Sequence, residues 1–290
     1  MRTGMIGLGA MGMPIAANLR KAGYLAAAWN RTRAKAEALA GQTGAAIAPT
    51  PAELAAQCKL ILISVSADQD LREVIDALLP GLSPNSVVVD TSTVSAQTAR
   101  QVAQQLARKE AHFLDAPVTG GVEGAKNARL SMMVGGDAAV LERVRPALEA
   151  IAQRIVHMGP AGSGQMAKAV NQIMAAGINQ AVTEALAFAK AAGLSLDKVI
   201  EAVSGGAAGN WFLSHRGPAM VRDNFTPGFR LALHHKDLSI CKQMASDLGA
   251  QLPLVEMTLI HYRHLMEAGY GDEDISALFR LKQQLFGEKP

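Results

Sequence analysis

In the first part of the chain, short apolar runs alternate with longer stretches in which apolar residues recur every three or four positions. This alternation predicts strands joined by helices around a mainly parallel sheet. The clearest helical stretches are 68–79 and 95–109, and Ser95 is suited to cap the second. The predicted strands read MIG, LAAAW, LILISV, SVVVD, HFLDAP, LSMMVGG and RIVHMG.

Beyond Gly164 the strand pattern stops, and helical stretches follow one another, separated by glycine-containing loops. The sequence therefore predicts an α/β domain at residues 1–160 and an all-helical domain at residues 161–290. The segment MGPAGSG, at 158–164, supplies the flexible residues of the junction.

The composition narrows the class of protein. The 290 residues are 49% hydrophobic, which is enough for a core in each of two domains. The formal net charge of +3 is spread along the chain without a basic run, so it favours neither a nucleic-acid-binding nor a membrane-surface protein, whereas small anionic ligands are compatible with it. No apolar run is long enough to span a bilayer, so we expect a soluble protein. Cys58 and Cys241 lie in predicted helical segments without metal or redox spacing, which indicates buried, reduced thiols and a cytoplasmic location.

A glycine motif, Gly7-Leu8-Gly9-Ala10-Met11-Gly12, follows the first predicted strand and opens a helix. This is the setting of a dinucleotide-binding turn, so the N-terminal domain is predicted to be Rossmann-type. Gly7 would permit the turn, Gly9 would admit the pyrophosphate, and Gly12 would let the helix pack on the strand. The phosphates would then lie at the N-terminus of the helix. An ordinary glycine turn is the alternative.

The segment after the second strand, Asn30-Arg31-Thr32-Arg33, bears on the choice of cofactor. An NAD-binding fold commonly carries an acidic residue here for the ribose hydroxyls. Two guanidinium groups can instead bind a 2′-phosphate. We therefore expect NADP(H) to be preferred over NAD(H), with Asn30, Arg31 and Thr32 at the cofactor. A solvated loop with two surface arginines is the alternative.

Four segments together, in the right order and across nearly the whole chain, resemble the β-hydroxyacid dehydrogenase family. They are GLGAMGMPIAANL at the start, DAPVTGGVEGA at 115–125, GSGQMAKAVNQ at 162–172 and HHKDL at 234–238. The resemblance implies an enzyme that interconverts a small β-hydroxy acid and its semialdehyde or 3-oxo acid with NAD(P). The alternatives are an NAD-dependent 3-hydroxyisobutyrate dehydrogenase, an imine reductase and a non-catalytic dinucleotide-binding scaffold.

Lys168 and Asn171 lie three residues apart in an apolar stretch that we predict to be one long helix, so they share a helical face. Partial desolvation there would lower the pKa of the Lys168 amine and let it exchange a proton near neutral pH. The resemblance implies that Lys168 is the general acid/base and that Asn171 binds the substrate. The alternative is a lysine whose stem covers the core while its amine reaches water.

Thr119-Gly120-Gly121 follows a predicted strand, and its successive N–H groups can form a nest for a substrate carboxylate beside the Thr119 hydroxyl. The family usually has serine in place of Thr119. It also commonly continues A-x-x-G-T-L, whereas this chain reads Ala125-Lys126-Asn127-Ala128-Arg129-Leu130, which leaves the shape of the loop open. Arg129 either points to solvent or points inward, where it would favour a second acidic group on the substrate. Glu123 likewise either faces solvent or contacts the substrate.

The resemblance implies further contacts. Lys236 corresponds to a lysine that closes over the nicotinamide ribose. Thr93 follows a strand end on the cofactor side, and Val65, the last residue of the predicted strand LILISV, is also expected to contact the cofactor. Asp237 is then a capping or structural partner rather than a second acid. We expect Trp211 and Phe212 in a loop near the substrate, with core packing as the alternative.

Two expectations concern metals and partners. His261 and His264 form an H-x-x-H pair without an evident third ligand, so no metal site is predicted. The apolar helical domain is expected to bury surface against another copy of the chain, which gives a homodimer or a homotetramer.

Overall fold

The computed structural model describes residues 1–287. The chain divides into two compact units, Met1–Lys168 and a second unit that begins at Ala169. Each unit has its own architecture and its own apolar core.

The first unit is built on a nine-stranded sheet in the order β3-β2-β1-β4-β5-β6-β8-β7, with β9 beside β8. The first six strands in this sheet order, from β3 through β1 to β6, are parallel. Strand β8 runs antiparallel to β6 and β7, and β9 is parallel to β8. The strands are β1 (Thr3–Ile6), β2 (Leu25–Trp29), β3 (Ala46–Ile47), β4 (Leu60–Ile63), β5 (Val87–Asp90), β6 (His112–Asp115), β7 (Val118–Thr119), β8 (Leu130–Gly135) and β9 (Ala152–Gly159).

Helices cover both faces of this sheet. Leu60 and Leu62 belong to one apolar cluster, and Ile61 and Ile63, which alternate with them, belong to another. A strand buried on both faces needs apolar residues at every position, which explains its continuous apolar run. The helices are α1 (Gly12–Lys21), α2 (Arg33–Thr43), α3 (Pro51–Gln57), α4 (Asp68–Leu78), α5 (Ala96–Ala107), α6 (Gly121–Lys126) and α7 (Ala138–Leu148).

The seven predicted strands are all confirmed, and so are the two helices predicted at 68–79 and 95–109. The side chain of Ser95 accepts a hydrogen bond from Thr98 N, as an N-cap does. The prediction missed β3 and β7, because each contains only two residues and so carries no periodic pattern.

The second unit is helical throughout its described part. Its core packs around the fully buried Tyr262, together with Leu238 and Phe279. The unit begins within α8 (Ser163–Ala191), and its other helices are α9 (Leu196–Ser204), α10 (Trp211–Val221), α11 (Leu231–Asp247), α12 (Pro253–Glu267), a 3₁₀ turn at Ile275–Ala277 and α13 (Leu278–Gln284). The predicted class, an α/β domain followed by an all-helical one, is confirmed.

Two local predictions were wrong. Trp211 and Phe212 lie in the first turn of α10 rather than in a loop, because Asn210 caps this helix by accepting a hydrogen bond from Leu213 N at 2.9 Å. Cys58 is the residue after α3 rather than part of a helix, whereas Cys241 lies in α11. Both cysteines are buried, as expected, and neither forms a disulfide.

Candidate active site

The cofactor motifs lie at the carboxyl ends of adjacent parallel strands. The glycine loop follows β1, Asn30 follows β2, Val65 lies just beyond β4, and Thr93 lies just beyond β5. Because β1 is flanked by β2 on one side and β4 on the other, the chain order reverses there. Such a reversal creates a crevice at the carboxyl ends of the strands, where open α/β sheets bind their ligands.

The glycine loop has room for a cofactor at one position and none at another. Gly9 is exposed, and a Cβ built on it would meet no atom within 4 Å. Gly12 is buried, and a Cβ there would collide with the carbonyl oxygen of Gly7. The open space at Gly9 and the closed contact at Gly12 fit a loop that admits a pyrophosphate while its helix packs closely. Ala10, beside Gly9, is exposed, and Met11 is the N-cap residue of α1.

The segment after β2 is tied to this loop and to its own surroundings. Asn30 Oδ1 accepts a hydrogen bond from Leu8 N at 2.8 Å, and Asn30 Nδ2 donates to Thr32 O at 2.9 Å. Asn30 therefore shapes the glycine loop through the backbone. The Arg31 guanidinium is largely exposed and lies 3.1 Å from the carboxylate of Asp70. An exposed ion pair of this kind is worth about 0–1 kcal/mol, so the Arg31 side chain is available to a phosphate at little cost.

Val65 and Thr93 belong to neighbouring turns that share one serine. Ser92 Oγ accepts a hydrogen bond from Val65 N at 2.8 Å. Ser92 is buried, while Val65 and Thr93 are half-buried. The contact joins the turn after β4 to the turn after β5.

The predicted nest, Thr119–Gly121, has a backbone conformation that favours glycine. Thr119 ends β7, Gly120 is the N-cap of α6, and Gly121 is its first residue. The φ angles of Gly120 and Gly121 are 121° and 63°, values that side-chain-bearing residues seldom adopt. Both glycines are exposed. The segment Thr119–Gly121 therefore ends in an exposed turn whose backbone conformation favours glycine.

Lys168 is buried rather than extended towards water. Only 7% of the residue is exposed, and its Nζ donates a hydrogen bond to Val118 O at 3.0 Å. Val118 immediately precedes Thr119, so the amine lies beside the strand that leads into the nest. The alternative of a solvated amine on an apolar stem does not describe this lysine.

Sequence reasoning missed Asp115, a residue that holds the start of α8. Asp115, at the end of β6, is fully buried, and its two oxygens accept hydrogen bonds from Gly162 N at 2.7 Å and from Gln165 N at 2.9 Å. Burial raises the pKa of the Asp115 carboxyl, and the backbone hydrogen bonds from Gly162 and Gln165 oppose that rise. The signal available in the sequence was an acidic residue at the carboxyl end of a buried strand.

In the second unit, four polar side chains form a continuous chain. Asn171 Nδ2 donates to Gln172 Oε1 at 2.7 Å, and Gln172 Nε2 donates to Asp237 Oδ2 at 2.7 Å. The other oxygen of Asp237 lies 2.8 Å from Lys236 Nζ. Asp237 thus contacts both the amide next to Asn171 and the predicted cofactor lysine.

The remaining predicted residues are mainly at the surface. Trp211 is 57% exposed and stacks on the ring of His215 with 4.3 Å between ring centroids, whereas Phe212 is buried in the core. Arg129 and Glu123 are both exposed. Ala128, where the family pattern has glycine, adopts a left-handed conformation with φ 55°.

No cluster of three histidine, cysteine or acidic side chains suited to a metal ion occurs within residues 1–287. His261 Nδ1 lies 3.1 Å from Gln180 Nε2. Within the same residues, every helix is too short or too polar to cross a bilayer.

Two domain families match successive parts of the chain. The NAD binding domain of 6-phosphogluconate dehydrogenase matches residues 2–159. The family described as NAD-binding of NADP-dependent 3-hydroxyisobutyrate dehydrogenase matches residues 162–282.

Individual relatives match over nearly their whole length. The chain is 37% identical over 256 residues to the 2-hydroxy-3-oxopropionate reductase of Escherichia coli, covering 87% of each protein. It is 32% identical to the NAD-dependent L-serine dehydrogenase of Pseudomonas aeruginosa, covering 95% of this chain and 96% of the relative. A structure of the Mycobacterium tuberculosis 3-hydroxyisobutyrate dehydrogenase with L-serine superimposes with a TM-score of 0.88 at 32% identity, covering 97% of this chain and 99% of that one.

Proposed function

Because the chain belongs to the β-hydroxyacid dehydrogenase family, we propose that it interconverts a small β-hydroxy acid and the corresponding semialdehyde or 3-oxo acid, with NADP(H) as the preferred cofactor. The family makes the chain an NAD(P)-dependent oxidoreductase that acts on CH–OH groups. The nicotinamide ring supplies or accepts the hydride in this chemistry.

In the proposed mechanism, the nest at Thr119–Gly121 binds the substrate carboxylate through backbone N–H groups and the threonine hydroxyl. The Lys168 amine donates a proton to the carbonyl oxygen during reduction and takes the hydroxyl proton during oxidation. Asn171 hydrogen-bonds the substrate. Gly9 and its neighbours would hold the pyrophosphate, Val65 and Thr93 would contact the cofactor on the nicotinamide side, and the family resemblance implies that Lys236 would contact its ribose.

One observation carries the proposal: the buried Lys168 amine donates to the carbonyl of Val118, the residue that precedes the nest. A group that exchanges a proton with a bound oxygen must lie within hydrogen-bond reach of it. A nest that fixes the carboxylate end of a three- or four-carbon acid leaves the reacting carbon a few ångströms away. The position of the amine beside the nest supports the role of general acid/base.

The test is consumption of NADPH with glyoxylate, succinic semialdehyde, methylmalonate semialdehyde and tartronate semialdehyde, and reduction of NADP⁺ with the corresponding hydroxy acids. Lys168→Ala should abolish turnover and leave the Kd for NADPH nearly unchanged. Lys282→Ala is the matched control, because Lys282 is also buried, at 3% exposure, but pairs with Glu184 at 2.6 Å. Equal losses of turnover in the two variants, or loss of cofactor binding in Lys168→Ala, would contradict the assignment.

The preference for NADP(H) depends on Arg31. Replacing Arg31 with alanine should raise the KM for NADPH by about 10-fold or more, since a charged hydrogen bond contributes about 1.5–3 kcal/mol, and should leave the KM for NADH almost unchanged. Asp70→Asn is the control, because it removes the partner of Arg31 and should leave NADPH binding equal or tighter. Equal effects of Arg31→Ala on both cofactors would favour the alternative, an NAD-dependent 3-hydroxyisobutyrate dehydrogenase.

Two other classes remain as outcomes of the same assays. An imine reductase would consume NADPH with cyclic imines rather than with these acids, and a lysine at the catalytic position argues against it. A dinucleotide-binding scaffold would bind NADPH tightly without turnover, but it would need neither the buried Lys168 nor the nest.

We also infer a homodimer or homotetramer and a cytoplasmic location. Apolar side chains stand exposed along α8, among them Val170 at 58%, Met174 at 61% and Phe188 at 60%. Val170 and Met174 lie four residues apart and so share a helical face, and a contiguous exposed apolar patch is a mark of a protein interaction surface. Light scattering during size-exclusion chromatography measures the assembly, and a monomer at micromolar concentration would contradict it. Two buried cysteines that form no disulfide support a reducing compartment.

A further inference from the structure

The start of α8 is held by a buried carboxylate rather than by a residue of the helix itself. Asp115 comes from β6 and uses one oxygen for Gly162 N and the other for Gln165 N. A helix begins with N–H groups that have no partner in the helix, and a carboxylate satisfies them while its charge interacts favourably with the positive end of the helix dipole. Lys168 follows one helical turn later.

The backbone encloses this carboxylate so closely that side chains are excluded around it. A Cβ on Gly164 would lie 2.9 Å from one carboxylate oxygen of Asp115 and would collide with the Asp115 backbone oxygen. A Cβ on Gly135, in β8, would collide with the other carboxylate oxygen. The carboxylate therefore fixes the distance between the sheet and the first turn of α8.

Gln165, in the same turn, connects α8 to the turn after β5. Its side-chain oxygen accepts a hydrogen bond from Val94 N at 3.2 Å, and its side-chain nitrogen donates to Ser92 O at 2.9 Å. These two backbone groups flank Thr93. One buried amide thus fixes the turn that carries Thr93 relative to the helix that carries Lys168.

We propose that Asp115 and Gln165 are positioning residues that hold the Lys168 amine and the Thr93 turn in the register needed for proton transfer. The inference rests on the proposed function, in which Lys168 exchanges the proton. Displacing a catalytic group by about 1 Å can lower the rate by about 100-fold, so a support one turn away affects turnover without touching the substrate.

Asp115→Asn tests the carboxylate, because an asparagine amide presents one acceptor and one donor to two N–H groups. We expect kcat to fall by about 10-fold to 100-fold, with the Kd for NADPH within about 2-fold of wild type. Asp137→Asn is the matched control: Asp137 caps α7 in the same unit, accepting from Ala139 N at 2.7 Å and from Val140 N at 3.2 Å, but α7 carries no site residue. It should lower the melting temperature and leave kcat unchanged.

Gln165→Met provides a second variant that keeps the carboxylate cap and removes only the link to the Thr93 turn. Both site variants should show a larger solvent deuterium isotope effect on kcat than wild type, because proton transfer becomes slower relative to the other steps. Circular dichroism at the assay temperature corrects each rate for the folded fraction. If the corrected kcat and the isotope effect match those of Asp137→Asn, Asp115 and Gln165 act on stability alone and the inference is wrong.

The two proposals fail in different ways. Wild-type turnover that Lys168→Ala does not reduce would overturn the proposed function. Turnover that depends on Lys168 but is insensitive to both Asp115→Asn and Gln165→Met would overturn the positioning role alone.

Discussion

Replacing two glycines of the same loop with alanine should separate cofactor binding from folding. Gly9 faces open space, whereas Gly12 packs against the backbone of Gly7. Alanine adds one methyl group in each case, so the two variants differ only in what that methyl group meets.

Gly12→Ala should destabilise the first unit. Gly12 is the first residue of α1, so alanine gains at most about 1 kcal/mol over glycine in helix propensity there. The added Cβ would collide with the carbonyl oxygen of Gly7 and lie 3.0 Å from Met5 Cε. Overpacking against backbone that cannot move aside costs about 3 kcal/mol. The net loss of about 2 kcal/mol corresponds to a melting temperature about 4–8 °C lower for a unit of this size.

Gly9→Ala should leave the melting temperature of the apoprotein within about 2 °C of wild type, because its Cβ meets nothing within 4 Å. The same methyl group would occupy the space into which a pyrophosphate must come. Losing one charged hydrogen bond between backbone N–H and phosphate costs about 1.5–3 kcal/mol, so the Kd for NADPH should rise by about 10-fold to 100-fold.

Thermal unfolding followed by circular dichroism without cofactor measures the stability of both variants. Titration of NADPH fluorescence measures the affinity. If Gly9→Ala binds NADPH as wild type does, the loop is not the pyrophosphate site and the reasoning from its open space fails.

Two further predictions concern stability and reactivity. Ala128→Gly should raise the melting temperature by about 2–4 °C, because a left-handed conformation costs a residue with a Cβ about 1–2 kcal/mol, whereas glycine loses about 0.5–1 kcal/mol in entropy on folding. The control is Ala103→Gly, within α5, which should lower the melting temperature. A lower melting temperature for Ala128→Gly would contradict the argument. Burial raises the pKa of the Cys58 thiol, so iodoacetamide at about pH 8 should modify Cys58 much more slowly in the native protein than in guanidinium chloride. Peptide mapping measures the rate at Cys58 under each condition. Equal rates would show that the thiol is accessible in the native protein.

The strands and helices of the first unit could be predicted because burial of the sheet on both faces produces a clear pattern of apolar residues in the sequence. Each strand that lies inside the sheet is a continuous apolar run, such as Leu60–Ile63. The start of α10 was harder to predict from the sequence, because the glycines before Asn210 suggested a loop that continued through Trp211. Asn210 itself is a favoured N-cap residue, and it was the signal that could have located the helix.

Parts of the candidate site could be proposed from the sequence only where one segment carries all of the chemistry. The glycine loop and the nest are such segments, since backbone conformation alone makes them. The role of Asp115 depends on residues 47 and 50 positions away, and Gln165 reaches 71 and 73 positions back along the chain. No spacing of neighbouring residues in the sequence indicates these contacts. Asn30 shows the same limit, because its position predicts a cofactor contact while its side chain bonds Leu8 N.

The contacts of two buried lysines bear on how Lys168 would exchange a proton in the proposed mechanism. Lys282, at 3% exposure, lies 2.6 Å from a carboxylate oxygen of Glu184. Lys168 Nζ contacts Val118 O, and a carbonyl oxygen accepts a hydrogen bond from an ammonium group or from a neutral amine. This contact holds the nitrogen in place in both protonation states. A general acid/base needs that property, since it must return to the same position after giving up its proton.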